Sequence, residues 1–133
     1  MVVDASVWVG VFLLQDVHHG TCRAWLSREI TARALLAIPI HCLAEASGAV
    51  TRRTGLSAHG RRAVRDLLTT PGLELVPIDI GLAREAADAA ADYFLRGADA
   101  LYAALAHRLN LPLVMLDAEL RRRTAGYVQA VVL

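Results

Sequence analysis

Short apolar segments alternate with longer helical segments along the chain, and this alternation constrains the fold more than any other feature. The predicted strands are the runs 1–4, 35–38, 73–78, 113–116 and 127–132. The predicted helices are 7–14, 20–31, 40–54, 57–68, 79 or 81 to about 95, 98–109 and 118–124, with Ser6 and Ser57 as expected N-caps of the first and fourth. This order predicts a three-layer α/β/α fold around a central, mostly parallel sheet of about five strands.

The composition favours one folded, soluble domain over residues 1–133. Hydrophobic residues make up 56% of the chain, which excludes a disordered protein, and no apolar run reaches the ~18 residues that a membrane span needs. The start of the chain shows no basic segment followed by a cleavage pattern, so we expect a cytoplasmic protein without a membrane partner. Cys22 and Cys42 are then expected to be free, buried thiols.

Four acidic residues fall where a parallel sheet places its ligand site. Asp4 and Asp117 end the first and fourth predicted strands, Glu45 lies in the first turns of the helix after the second strand, and Asp99 begins the helix after Gly97. Ligands of open α/β sheets bind beyond the carboxyl ends of the strands. We therefore expect these carboxylates to converge at one edge of the sheet.

Each acid also has a structural explanation when it is taken alone. Asp4 and Asp117 are suitable helix caps, and a helix dipole favours Asp99 in a first turn. Glu45 is harder to explain in this way, because it interrupts an apolar helix face, the chain contains no lysine, and Arg52 and Arg53 lie too far along the helix for a side-chain pair. The structural explanations do not account for the occurrence of all four acids at one edge.

Converging carboxylates repel one another, and a bound cation relieves the repulsion. Carboxylate oxygens are ligands of hard divalent ions, so the residues predict a site for Mg²⁺, with Mn²⁺ as a substitute. No Cys/His pair has the spacing of a zinc site, and His18 and His19 are expected in an exposed loop. Such an acidic site, without a nucleophilic triad or a glycine-rich phosphate loop, favours phosphodiester hydrolysis by metal-activated water.

Two further sets of residues are assigned supporting roles. Ser6 is expected to bind a metal-bound water or to orient Asp4. All basic residues are arginines and several are clustered, and these clusters either contact the backbone of a nucleic acid or form solvated helix faces. The candidates for RNA contact are Arg52, Arg53, Arg121 and Arg122.

The order and spacing of four segments resemble the PIN domain, most closely the VapC toxins of toxin–antitoxin pairs. The segments are 2–9 (VVDASVWV), 43–46 (LAEA), 98–106 (ADALYAALA) and 116–120 (LDAEL). The resemblance covers the whole chain. It implies a parallel-sheet nuclease fold, Mg²⁺-dependent RNA cleavage, inhibition by a small antitoxin, and a homodimer.

The same resemblance ranks the acids. It implies that Asp4, Glu45 and Asp99 are the core metal ligands and catalytic residues, and that Asp117 supports them. Many family members carry Thr or Ser two residues before the fourth acid, where this chain has Met115. The departure concerns the tuning of Asp117 and leaves the other three acids unaffected.

Two other functions compete with the nuclease. One is a non-catalytic PIN-fold interaction module, in which the aromatic residues Trp8, Phe12 and Trp25 either pack in the core or are covered by an antitoxin or a second subunit. The other is a phosphotransfer or phosphatase domain. That class needs a lysine or a DxD pair near the first strand, and the chain has neither.

Overall fold

The computed structural model describes residues 1–133, which form five strands and seven helices. In chain order they are β1 (Val2–Val3), α1 (Ala5–Phe12), α2 (His19–Thr31), β2 (Leu36–Pro39), α3 (Cys42–Thr54), α4 (Ser57–Leu68), β3 (Leu73–Val76), α5 (Ile80–Tyr93), α6 (Gly97–Leu109), β4 (Leu113–Met115), α7 (Ala118–Arg123) and β5 (Ala130–Val132).

All five strands belong to one parallel sheet in the order β3-β2-β1-β4-β5. The central strand β1 pairs through Val2 with Ala37 of β2 on one side and with Leu113 of β4 on the other. Strands in the middle of a parallel sheet are covered on both faces, which explains their continuous apolar sequences. The predicted α/β fold with five strands is confirmed.

Helix α6 packs against β1, β2 and β4, with α5 packed alongside it. Its buried face consists largely of alanines, and small side chains let a helix approach a sheet closely. Helix α1 packs against β4, α2 and α3. The expectation that the helix after Gly97 is largely buried is confirmed.

Two predicted caps are wrong. The chain turns into α1 directly after β1, so Asp4 has the extended cap conformation and accepts a hydrogen bond from the Ser6 backbone N–H at 2.8 Å. Leu56, also extended, precedes α4, and Ser57 is already helical. The two serines lie inside the first turns of their helices.

Several burial predictions are tested by the structure. Cys22 and Cys42 are free and buried, as expected, and burial raises the pKa of these thiols to about 11 and about 12. Trp8 and Trp25 are 0% and 4% exposed, so these two residues form core and not a partner surface, whereas Phe12 is half-buried.

The histidine pair and two strand ends also differ from the prediction. His19 is the first residue of α2 and its Nδ1 lies 2.8 Å from the Gly10 carbonyl oxygen, so only His18 is an exposed loop residue. The third strand ends at Val76 and the last begins at Ala130, so both are shorter than predicted. No helix has the length and apolarity required to cross a membrane.

Candidate active site

The four predicted acids all lie at the carboxyl edge of the sheet. Asp4 directly follows β1, and Asp117 follows β4 by two residues. Glu45 is in the first turn of α3, the helix after β2, and Asp99 is in the first turn of α6. The topology therefore collects acids that are more than a hundred residues apart in sequence.

Asp4 is the most buried of the four, with 8% of its surface exposed. Burial raises the pKa of its carboxyl group because a charge is poorly solvated there. Hydrogen bonds from Ser6 oppose the rise, and the negative charges of Asp99 and Glu45 add to it. The carboxyl group of Asp4 therefore lies within electrostatic reach of Asp99 and Glu45.

Glu45 is held by two aromatic residues. The hydroxyl of Tyr102 donates a hydrogen bond of 2.6 Å to Glu45 Oε2, and His41 Nε2 lies 3.1 Å from the same oxygen. Burial acts to raise the pKa of Glu45, but His41, Tyr102 and the charge of Arg96 outweigh it, and the pKa lies below its usual value. Glu45 is therefore fixed in position as a carboxylate.

Asp99 and Asp117 share a basic neighbour. Arg96 Nε donates a hydrogen bond of 2.8 Å to Asp99 Oδ2, and its Nη2 lies 3.9 Å from Asp117 Oδ2. Asp117 also caps α7 by accepting from the backbone N–H groups of Glu119 and Leu120. Asp117 thus combines the cap role with a place at the edge of the site.

The charge of Arg96 acts on the whole acidic group. Besides its contacts with Asp99 and Asp117, it favours the ionised form of Asp4 and Glu45. Four carboxylate side chains are a donor set that fits Mg²⁺ or Mn²⁺. As the side chains stand, however, no three acidic, histidine or cysteine groups are arranged to hold a metal ion. In this arrangement Arg96 is the cation that offsets part of the negative charge of the group, through Asp99 and Asp117.

Ser6 contacts both strands that carry an acid. Its backbone N–H donates to Asp4, and its hydroxyl accepts a hydrogen bond of 3.3 Å from the Leu116 backbone N–H. These contacts tie the end of β1 to the end of β4. The hydrogen bond to Asp4 comes from the Ser6 backbone N–H, whereas the Ser6 hydroxyl contacts Leu116.

The arginines predicted to contact RNA are not gathered at the acids. Arg52 and Arg53 are in the last turn of α3, about 10 Å along the helix from Glu45. Arg53 forms an ion pair with Asp16, and Arg122 forms one with Glu119. Arg121 is exposed on α7.

Sequence reasoning missed Arg96, Tyr102 and His41. Arg96 precedes Asp99 by three residues and His41 precedes Glu45 by four, which are the spacings at which helical side chains meet. Tyr102 is 1% exposed in an apolar helix. A tyrosine at such a position has a buried hydroxyl that needs a hydrogen-bond partner, and this need is the signal that the sequence offers.

The sequence and the fold were compared with those of known proteins. The sequence profile of the PIN domain matches residues 1–125. The fold is similar to that of VapC20 from Mycobacterium tuberculosis, described as a toxin that cleaves the sarcin-ricin loop, with 20% identity, a TM-score of 0.78 and 96% of each chain covered.

Two further structures have the same fold. A chain of VapBC2 from Rickettsia felis, bound to a promoter DNA fragment, has 15% identity and a TM-score of 0.75, with 98% of this chain and 96% of that chain covered. A toxin–antitoxin complex from Klebsiella pneumoniae has 16% identity and a TM-score of 0.64, with 98% and 95% covered. No protein of curated function matches the sequence.

Proposed function

Since the chain belongs to the PIN domain family, we propose that residues 1–133 form one Mg²⁺-dependent endoribonuclease domain in which Mn²⁺ can replace Mg²⁺. The observation that carries this proposal is the placement of Asp4, Glu45, Asp99 and Asp117 at one edge of the parallel sheet, with the charges of Asp99 and Glu45 raising the pKa of the buried Asp4. Carboxylates that repel one another in a partly buried site are stabilised in their ionised forms by a cation. A phosphodiester substrate supplies further oxygens to such a cation.

Each residue of the site has its own role in the proposed hydrolysis. A bound divalent ion supplies charge neutralisation at the scissile phosphate and lowers the pKa of the attacking water. Asp4, Glu45 and Asp99 are the core ligands, and Asp117 supports them from the end of β4. Tyr102 keeps Glu45 aimed at the site through its hydrogen bond, and Ser6 keeps Asp4 in place.

We also propose that the chain is the toxin of a toxin–antitoxin pair that acts in the cytoplasm as a homodimer. Support comes from the neighbours, since one is described as a cleaving toxin and another as a toxin–antitoxin complex. The partners are then an RNA substrate, a small cognate antitoxin and a second copy of the chain. Copurification with the product of the neighbouring open reading frame is the direct test of the antitoxin.

The nuclease proposal is tested by incubating the purified chain with structured RNA. We expect cleavage that requires Mg²⁺ or Mn²⁺ and stops when the ion is chelated. The Asp99→Asn variant is expected to keep its circular dichroism spectrum and to lose cleavage by about a hundredfold or more, because a metal ligand is lost. Full activity of Asp99→Asn would exclude this acid from the site.

Arg96→Gln is expected to strengthen metal binding. The wild-type protein must displace the Arg96 cation from the acids before an ion binds, whereas the variant leaves the carboxylates uncompensated. We expect the Mn²⁺ dissociation constant, measured by isothermal titration calorimetry, to fall by roughly tenfold, with a larger rise in Tm on adding Mn²⁺.

Arg121→Gln is the charge-matched control, because Arg121 is an exposed arginine of α7 that forms no ion pair. Its Mn²⁺ affinity is expected to equal that of the wild type at physiological salt. Equal affinities for all three proteins would mean that Arg96 does not compete with the ion.

One observation favours a second candidate, a PIN-fold interaction module without catalysis. As they stand, the side chains present no set of three metal ligands, and Arg96 already pairs with Asp99 and lies near Asp117. Metal titration separates the two candidates. If millimolar Mg²⁺ or Mn²⁺ gives no rise in Tm and no RNA is cleaved, the module is the better description.

A further inference from the structure

Phe94 is an exposed aromatic residue at the edge of the candidate active site. It follows the last residue of α5, and 79% of its surface is exposed to solvent. Its backbone is left-handed, with φ at 53°. Two residues further along the chain is Arg96, the arginine that contacts Asp99 and Asp117.

Neither the backbone nor the packing explains a phenylalanine at this position. A left-handed residue after a helix is usually glycine, because a Cβ atom makes that conformation unfavourable. An exposed aromatic ring gains almost nothing from the core. Residues that break local preferences in this way are concentrated at functional sites.

Phe94 borders a small cavity beside the candidate active site. A cavity of about 190 Å³ is lined by Phe94, Arg96, Asp99, Asp117 and Arg123, among others. Arg123 donates a hydrogen bond from Nη1 to the Phe94 carbonyl oxygen, and its Nε donates one of 2.9 Å to Glu119. The backbone that carries the ring is therefore anchored to α7, beside two acids of the candidate site.

We propose that Phe94 is the stacking face of a subsite for one unpaired RNA base next to the scissile phosphate. This inference rests on the proposed ribonuclease function. An aromatic ring binds the π-face of any base. Arg96 and Arg123 line the same cavity, paired with Asp99 and Glu119, and an adjoining phosphate would take the place of these carboxylates on the two guanidinium groups. A base inside a duplex is already stacked on both sides, so the subsite selects single-stranded or looped RNA over a duplex.

The experiment measures RNA binding in the non-cleaving Asp4→Asn background of the full chain. The probes are a short single-stranded oligoribonucleotide with 2-aminopurine at successive positions and the duplex of the same sequence. We expect the ring to quench 2-aminopurine at one position of the single strand. Phe94→Gly is expected to abolish this quenching and weaken single-strand affinity by roughly tenfold, while duplex affinity is unchanged.

Three further variants identify the cause of the loss. Phe94→Trp is expected to keep the quenching, and Phe94→Leu to lose it, because leucine has no π-face. Ile80→Ala is the matched control, since Ile80 is 74% exposed at the opposite end of α5, about 20 Å away, and its affinity is expected to be unchanged. Phe94→Gly is also expected to raise Tm by roughly 3 °C, because glycine relieves the left-handed strain. If Phe94 had only a structural role, its replacement would not weaken RNA binding while raising Tm.

The proposal is overturned if Phe94→Gly binds single strands as tightly as the Asp4→Asn protein, or if Phe94→Leu keeps the full affinity of that protein. It is also overturned if the Phe94 variants change the oligomeric state in light scattering and leave RNA binding intact, since a second copy then covers the ring. If the wild type cleaves RNA with Mg²⁺ and the Phe94 variants bind normally, only the subsite is wrong. If quenching depends on Phe94 and the wild type never cleaves RNA, only the nuclease function is wrong.

Discussion

Replacing Asp4 by asparagine is expected to reduce RNA cleavage by about a hundred- to a thousandfold and at the same time to stabilise the fold. The loss of activity follows because the neutral amide is a poor ligand for a divalent ion. The gain in stability, on the order of 1 kcal/mol or about 3 °C in Tm, follows because a buried carboxylate repelled by Asp99 and Glu45 is removed. Asparagine also keeps the cap of α1, since its side-chain oxygen accepts from the Ser6 backbone N–H.

The stabilisation by Asp4→Asn is expected to depend on pH. The folded protein raises the pKa of Asp4 above the unfolded value of 3.8, so it binds this proton more tightly than the unfolded chain does. The tighter binding of the Asp4 proton stabilises the folded wild type fully below the pKa that Asp4 has in the unfolded chain. This stabilisation is lost as the pH rises through the pKa of Asp4 in the folded protein. The difference in Tm between the variant and the wild type should therefore be largest near neutral pH and shrink toward pH ~4.

Asp66→Asn is the matched control for these measurements. Asp66 is an acid of α4 with half of its side chain exposed, paired with Arg62 and remote from the four acids. Its removal is expected to change neither cleavage nor Tm beyond the error of measurement. Wild-type activity in Asp4→Asn, measured without contaminating nuclease, would remove Asp4 from the proposed metal site.

Gly60→Ala is expected to destabilise the fold by about 2–3 kcal/mol, although alanine is normally the better helix former. Gly60 is a buried residue of α4 where this helix contacts α3. A Cβ atom there would lie 2.5 Å from the Ser47 carbonyl oxygen and 2.1 Å from Thr51 Oγ1. The backbone oxygen moves only if the two helices separate, and α3 carries Glu45.

Gly48→Ala provides the control on the facing helix. Gly48 lies within α3, where an added Cβ atom would be 3.0 Å from the flexible end of Arg52. This variant is expected to be neutral or to gain up to ~1 kcal/mol from helix propensity. Urea unfolding of both variants measures the difference, and equal stabilities would contradict the close contact between α3 and α4.

The fold was largely predictable because the apolar runs and helical patterns that indicate it extend over many consecutive residues. The continuous apolar runs before Asp4 and Asp117 identified two neighbouring strands of the sheet, and the alternation with helices identified its parallel character. Helix starts were less predictable, as Asp4 and Ser57 show. Which residue caps a helix depends on where the chain leaves the extended conformation, and a shift of one residue is invisible to periodicity.

The acids of the candidate site were predictable because topology alone brings strand ends to one edge. The residues that hold those acids were not. Tyr102 reads as core in an alanine-rich helix, and only the fold brings its hydroxyl to Glu45, which is 57 residues away. Arg96 lies in a polar connection, where its three-residue spacing from Asp99 is a signal too common among helical side chains to single it out. Contacts between side chains on different elements depend on tertiary packing, and no short sequence motif specifies that packing.

The central position of β1 has a consequence for the synthesis of the protein. One partner of this strand, β4, lies about 110 residues later in the chain, and the Asp4 backbone N–H bonds to Val114 of that strand. A ribosome adding about 5–20 residues per second needs on the order of 5–20 s to make the intervening segment. During this time β1 keeps one open edge and Asp4 lacks its neighbour Asp117. The growing polypeptide therefore exposes Asp4 without Asp117 until the segment that carries β4 has been made.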